Sequence, residues 1–232
     1  MVPNQQHPVP CTTGRETPAL IKIYQALYRA FGPRHWWPAE TPLEVIVGAI
    51  LTQNTAWKNV EKAITNLKSA GLLELPQLNQ LPLRKLATII KPAGYYNIKA
   101  KRLRALTEWL ENSGGLEKLT AIPTPELRAQ LLQIHGVGPE TADSILLYAF
   151  NRPVFVVDAY TRRIFSRYGL ISGDEPYEQL KNWLEQELTP LTGKSISQTV
   201  ALFNEYHALL VHLGKTHCRP QPICPGCPLE SD

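Results

Sequence analysis

The stretch Ile134-His-Gly-Val-Gly-Pro-Glu-Thr-Ala-Asp-Ser-Ile-Leu-Leu-Tyr-Ala149, followed by Val154-Phe-Val-Val-Asp158, decides the fold of this chain. Gly136 and Gly138 enclose a tight turn, and Pro139 stands where a helix begins, because its missing N–H has no helical partner there anyway. Apolar residues then recur at helical spacing. Glycines allow close approach, and the N–H groups at a helix start attract anions. The stretch therefore predicts a hairpin of helices that contacts phosphate groups, as in a DNA backbone.

Asp158 follows the apolar run and precedes a predicted helix from Ala159 to Leu170, which is the position of an N-cap. The apolar run should raise the pKa of the carboxyl, whereas the helix N–H groups and dipole should lower it. We expect the second effect to prevail and to keep Asp158 ionised. Such a carboxylate can stabilise a developing positive charge or activate water, so Asp158 is the catalytic candidate. A simple helix cap is the alternative.

These motifs resemble the helix-hairpin-helix plus Gly/Pro/Asp motif of the endonuclease III superfamily of DNA glycosylases, over the chain from Leu43 to Leu229. Ile50-Leu-Thr-Gln-Asn-Thr55 is similar to the segment that fills the gap left by a flipped base, and Lys91-Pro-Ala-Gly-Tyr-Tyr-Asn-Ile-Lys-Ala-Lys101 to the second DNA-facing turn. Within the superfamily, the motifs most resemble 3-methyladenine DNA glycosylase III. That likeness is carried by Trp36-Trp37-Pro38, Leu51-Thr-Gln-Asn-Thr55, Pro92-Ala-Gly-Tyr-Tyr-Asn97 and Glu140.

Helical periodicity dominates the chain, so the sequence predicts an all-α fold, with 154–157 as a buried extended connector. The resemblance implies two helical lobes flanking a DNA cleft and a C-terminal cysteine loop. One lobe is a six-helix barrel over 42–152, and the other is discontinuous, formed by 18–41 and 153–232. Residues 1–17 are rich in Pro, Gln and Thr and are expected to form a flexible tail.

The resemblance also implies the activity, which is the removal of damaged bases from double-stranded DNA, with alkylated bases as one candidate class. Gly136, Val137 and Gly138 would hold a phosphate through backbone N–H groups, together with a monovalent cation. Gln53 and Asn54 would enter the duplex, since filling the gap offsets part of the cost of flipping a base.

Glu140 stands where bifunctional members of this superfamily carry a lysine, and a carboxylate cannot act as an amine nucleophile. We therefore expect base release by water without strand nicking. An endonuclease III-like glycosylase with abasic-site lyase activity, or a DNA damage-binding protein without catalysis, is the alternative. Glu140, Trp36 and Trp37 are expected in the base pocket, where aromatic faces attract electron-poor alkylated bases, although the tryptophans could instead belong to the core.

Cys218, Cys224 and Cys227 resemble the iron–sulfur loop of endonuclease III, which has four cysteines. A [4Fe–4S] cluster is expected here, with Cys11 considered as the fourth ligand. A zinc site completed by His217, or no metal at all, remains open at this stage.

The composition suits a DNA-binding protein, with a net charge of +4 and a pI near 8.8. No apolar run reaches the roughly 18 residues that a membrane span needs. We expect a cytoplasmic, nucleoid-associated monomer. Basic residues cluster on two predicted helices: Lys99, Lys101, Arg102 and Arg104 on one, and Arg162, Arg163 and Arg167 on the other.

Overall fold

The computed structural model describes residues 19–34, 36–193 and 195–230, and the regular structure in these ranges is entirely helical. The all-α prediction is therefore confirmed, and the predicted tail lies outside the described residues. The α-helices of the described residues are α1 Ala19–Phe31, α2 Pro42–Leu51, α3 Trp57–Ser69, α4 Leu75–Gln80, α5 Leu83–Ile89, α6 Tyr96–Asn112, α7 Gly115–Thr120, α8 Thr124–Leu132, α9 Pro139–Tyr148, α10 Ala159–Arg167, α11 Tyr177–Leu188 and α12 Ile196–Thr216. Short 3₁₀ helices occupy Lys91–Ala93 and Thr189–Thr192.

These helices form two compact units. The first unit comprises the described parts of Met1–Arg34, Val157–Lys194 and Glu205–Asp232. The second unit comprises those of His35–Val156 and Ser195–Asn204. The lobes implied by the resemblance have other bounds, 42–152 and 18–41 with 153–232, and the cleft between them stays a prediction. No helix in the described part of the chain is long and apolar enough to cross a membrane.

Helix α2 is the central helix of the second unit. Thr41 caps it by accepting a hydrogen bond from the amide of Glu44, and Pro42 occupies its first turn. Every residue from Leu43 to Leu51 is buried, which is typical of a helix that is apolar all round. Because α2 is enclosed by α3, α6 and α9, the loop that follows it is placed beside the start of α9.

The segment before Asp158 and the helix after it were both predicted from the sequence. Residues 154–157 are buried and neither helical nor part of a strand, so the predicted connector is confirmed. Helix α10 ends at Arg167 rather than at the predicted Leu170. The reason is a Schellman motif, in which Gly169 has a φ of 75° and the amide of Leu170 donates to the carbonyl of Phe165.

Candidate active site

Asp158 lies at the start of α10, as the sequence predicts, and only 9% of its surface is exposed. Its Oδ1 atom accepts a hydrogen bond of 2.7 Å from the amide of Thr161 and one of 2.9 Å from the Thr161 hydroxyl. The other oxygen, Oδ2, lies 3.5 Å from Nε2 of His207 in α12. Both carboxylate oxygens are therefore held in a fixed orientation within the first unit.

Opposing effects determine the pKa of Asp158 and therefore its charge. Burial raises the pKa of its carboxyl, but the nearby imidazole of His207, with the two bonds from Thr161, lowers that pKa below the ordinary value of 3.8. The expected ionised carboxylate is thus confirmed in direction. His207 was not predicted as a site residue, because its only signal in the sequence is that it is a titratable residue on an otherwise apolar face of α12.

The turn between α8 and α9 contains the two glycines of the predicted hairpin. Gly136 has a φ of 86°, and a Cβ atom there would overlap the side chain of Arg102. Gly138 is extended, with φ −92° and ψ 178°, and serves as the N-cap of α9. The amide of Val137 already donates to the carbonyl of Ile134 at 3.0 Å, so its N–H is occupied in this structure.

Gln53 is bonded to this turn by both ends of its side-chain amide. Its Nε2 donates to the carbonyl of Gly136 at 2.9 Å and to the Thr141 hydroxyl at 3.0 Å, while its Oε1 accepts from Arg102 at 2.6 Å. Asn54 differs, since it is exposed and has a φ of 51°. The structure thus holds Gln53 against the hairpin and presents Asn54 to solvent.

Trp36 and Trp37 are half-buried in an aromatic cluster of the second unit. The ring centroid of Trp57 lies 5.1 Å from that of each tryptophan, and the ring centroid of Tyr148 lies 5.1 Å from that of Trp37. Gly48 makes room for this packing, because a Cβ atom there would come within 3.1 Å of the Trp37 ring. Both tryptophans also line a cavity of about 230 Å³. Its other lining residues are Ala39, Glu40, Thr41, Pro42, Val45, Tyr148, Ala149, Asn151 and Asn204.

Glu140 is exposed on the first turn of α9 and is not among the residues that line this cavity. The base pocket expected from the sequence thus has its tryptophans together and its glutamate elsewhere. An acid at this place suits the positive end of the helix dipole.

The predicted basic cluster on α6 is largely internal. Lys99 is only 1% exposed, and Arg104 donates to the carbonyls of Leu78 and Leu81. Arg102 is bonded to Gln53, whereas Lys101 is exposed. Lys99 and Arg104 satisfy carbonyl oxygens at loops and helix ends, and a sequence pattern cannot distinguish such cations from a solvated basic face.

The arginines of α10 also bind carbonyl oxygens of the same unit. Arg162 donates to Glu175, and Arg163 donates to the carbonyls of Cys218 and Gly214. Arg167 donates to the carbonyls of Arg219 and Pro220. They therefore hold neighbouring loops in place.

The C-terminal loop, where a metal site is expected, contains Cys218, Cys224 and Cys227 as free thiols. Burial raises the pKa of Cys227, and so do the nearby Cys218 and Cys224. The Sγ atom of Cys218 lies 3.4 Å from the guanidinium of Arg167. Among residues 19–34, 36–193 and 195–230, no three His, Cys, Asp or Glu side chains are close enough together to hold a metal ion. The described thiols as placed therefore do not fit a [4Fe–4S] cluster, which stays a prediction from the resemblance. Cys11 lies outside the described residues.

Comparison with known proteins identifies the family. The model of the HhH-GPD superfamily of base excision DNA repair proteins matches residues 47–190, more than half of the chain. A Methanocaldococcus jannaschii protein, provisionally named a DNA repair glycosylase, is 49% identical over 214 residues, covering 91% of this chain and 94% of the relative. Endonuclease III of Thermotoga maritima is 30% identical over 197 residues, covering 82% and 81%.

Solved structures agree with this assignment. Helicobacter pylori 3-methyladenine DNA glycosylase, bound to 1,N6-ethenoadenine, has a TM-score of 0.74 and 31% identity over 84% of this chain and 97% of its own. An endonuclease III–DNA complex, at 22% identity and a TM-score of 0.75 over 90% and 91%, shares the fold. The chain belongs to the HhH-GPD superfamily of base excision DNA repair proteins, so the resemblance to the endonuclease III superfamily of DNA glycosylases is confirmed.

Proposed function

We propose that this protein is a monofunctional DNA glycosylase, which binds double-stranded DNA as a monomer and hydrolyses the N-glycosidic bond of a damaged base. The observation that carries the proposal is the buried, ionised carboxylate of Asp158, held by Thr161 and His207. As the bond between C1′ and the base nitrogen breaks, its electron pair leaves with the base and the sugar becomes cationic. A fixed negative charge stabilises that cation.

The direction of the pKa shift separates the two roles considered for Asp158. A carboxyl whose pKa is held below 3.8 is a weak base, so it accepts a proton from water poorly. Electrostatic stabilisation of the sugar is therefore its main contribution. Water then adds to C1′ and loses its proton to the departing base or to solvent.

For DNA binding, we propose that Gly136 and Gly138 bring the backbone close to a phosphate at the start of α9, with a monovalent cation nearby. Val137 contributes its side chain to the core instead, because it is 5% exposed and its amide is bonded. Gln53 fills the gap in the duplex once it leaves its bonds to the hairpin. Tyr95, at 70% exposure, is the aromatic side chain that the second turn offers to DNA.

Alkylated purines are the proposed substrates. The cavity beside Trp36 and Trp37 offers aromatic faces, which attract electron-poor rings. The similarity to the H. pylori enzyme with bound 1,N6-ethenoadenine supports the same class. The test is a panel of duplexes with single lesions, incubated with the protein and then analysed with and without alkali. Release of no base from any lesion would leave only the DNA damage-binding alternative.

A further inference from the structure

Lys99 of α6 is a lysine that the structure buries almost completely, with 1% of its surface exposed. A buried ammonium is costly unless it is hydrogen-bonded. Its Nζ donates to the Leu51 carbonyl at 2.7 Å, the Thr55 hydroxyl at 2.6 Å and the Ala93 carbonyl at 2.8 Å. An ammonium has three N–H groups, so each one is used.

The three acceptors belong to two separate segments of the second unit. Leu51 is the last residue of α2, and Ala93 is the last residue of a 3₁₀ helix. Carbonyls at helix ends lack helical partners and favour a nearby cation. The Thr55 hydroxyl also donates to the Ala93 carbonyl, so Lys99 and Thr55 together bridge loop 52–55 and turn 93–95.

Each bridged segment carries an exposed residue in the left-handed conformation. Asn54 has a φ of 51°, and Tyr95 has a φ of 44°. Resting on the DNA glycosylase function proposed above, we propose that Lys99 is a positioning residue that fixes loop 52–55 and turn 93–95 relative to each other, so that both enter the duplex as one surface.

The competing role for Lys99 is that of an amine nucleophile in strand nicking. Burial, with a contribution from the charge of Arg102, lowers its pKa to about 8, and a lowered pKa is common in lysines that form Schiff bases. A nucleophile, however, needs an exposed nitrogen lone pair. All three N–H groups of Lys99 are donated inside the protein, so an attack on a sugar would first require the bridge to break.

Amide hydrogen exchange in the DNA-free protein tests the bridge itself. The amides of Thr55 and Gly94 donate to Thr52 and Lys91 at 3.1 Å, so both report on the bridged segments. We expect Lys99→Met to accelerate exchange at both sites by about tenfold or more. Thr55→Val should accelerate exchange at Gly94, and it keeps the test decisive if Lys99→Met does not fold. The control Lys101→Met, an exposed lysine of the same helix, should change neither rate. Wild-type exchange in both bridge variants would overturn the bridge.

A DNA measurement then tests the positioning role. The test duplex carries a stable abasic-site analogue, and 2-aminopurine stands opposite it in the other strand. The fluorescence of 2-aminopurine rises when this base is unstacked. At saturating protein, the rise should be smaller with Lys99→Met than with wild type, and an equal rise would contradict positioning. Borohydride trapping by wild type that Lys99→Met abolishes would make Lys99 a nucleophile instead. If wild type releases no base from any lesion but exchange changes as expected, the proposed function fails and the bridge stands.

Discussion

The Nε2 atom of His207 lies 3.5 Å from Oδ2 of Asp158, and this pair joins α12 to the start of α10 within one unit. Thr161 donates both of its hydrogen bonds to Oδ1 of Asp158, and His207 contacts the other carboxylate oxygen, Oδ2. The pair thus both orients the carboxylate and helps to keep it ionised.

Replacement of His207 should shift the pH dependence of base release. His207→Phe removes the imidazole whose contact with Oδ2 lowers the pKa of Asp158, so this pKa should rise. The acid limb of the single-turnover rate should move to higher pH with it. His212→Phe, on the same helix and in contact with Phe31, is the matched control. An acid limb at the wild-type position in His207→Phe would contradict this role.

Gly138→Asp should leave the fold intact and weaken DNA binding. Gly138 is the N-cap of α9, where Asp is a preferred residue, its φ of −92° suits any side chain, and a Cβ atom there meets nothing within 4 Å. A carboxylate facing a phosphate should reduce affinity by about tenfold, or about 1.4 kcal/mol, for lesion-containing and undamaged duplexes alike. Gly138→Asn is the neutral control. A loss confined to the lesion duplex would assign this turn to the base pocket.

Gln53→Ala should slow base release most where flipping is costly. Flipping a paired base costs a few kcal/mol, so the single-turnover rate should fall by about tenfold or more for a paired lesion and by less for a lesion opposite an abasic site. Asn54→Gly, which preserves the left-handed backbone, is the comparison. If Asn54→Gly gives the larger and pairing-dependent loss, Asn54 rather than Gln53 enters the duplex.

The wild-type protein should release a base and leave the strand intact until alkali is added. Glu140 offers no amine, and the Nζ of Lys99 is fully bonded. Borohydride should therefore trap no covalent complex, and Glu140→Lys should introduce weak nicking. Efficient trapping by wild type that is lost in Lys101→Met would place the protein in the bifunctional class.

Local features were predictable from the sequence. The N-cap position of Asp158 follows from short-range signals, and the structure confirms it. The pKa of Asp158 is lowered as expected, although His207 contributes more of that lowering than the helix start does. Asp158 and His207 are far apart in the chain, so only the packing of α12 brings them together.

Long-range hydrogen bonds account for most of what the sequence did not show. Lys99, Arg102 and Arg163 stand out in the sequence only as members of basic clusters, yet each binds an oxygen from a distant part of the chain. Gln53 was expected to enter the duplex, and its bonds to the hairpin were not foreseen. A basic residue in a sequence can be predicted to be solvated only when no other segment of the folded chain supplies hydrogen-bond acceptors for its side chain.

Single-turnover base release by wild type and Asp158→Asn is the most direct measurement of the central claim. The substrate is the lesion duplex that wild type processes fastest, with 1,N6-ethenoadenine included in the panel. Asn keeps the shape and removes the charge, so the rate should fall by about 100- to 1,000-fold while DNA affinity stays close to that of wild type. Base release by Asp158→Asn at the wild-type rate would contradict the account.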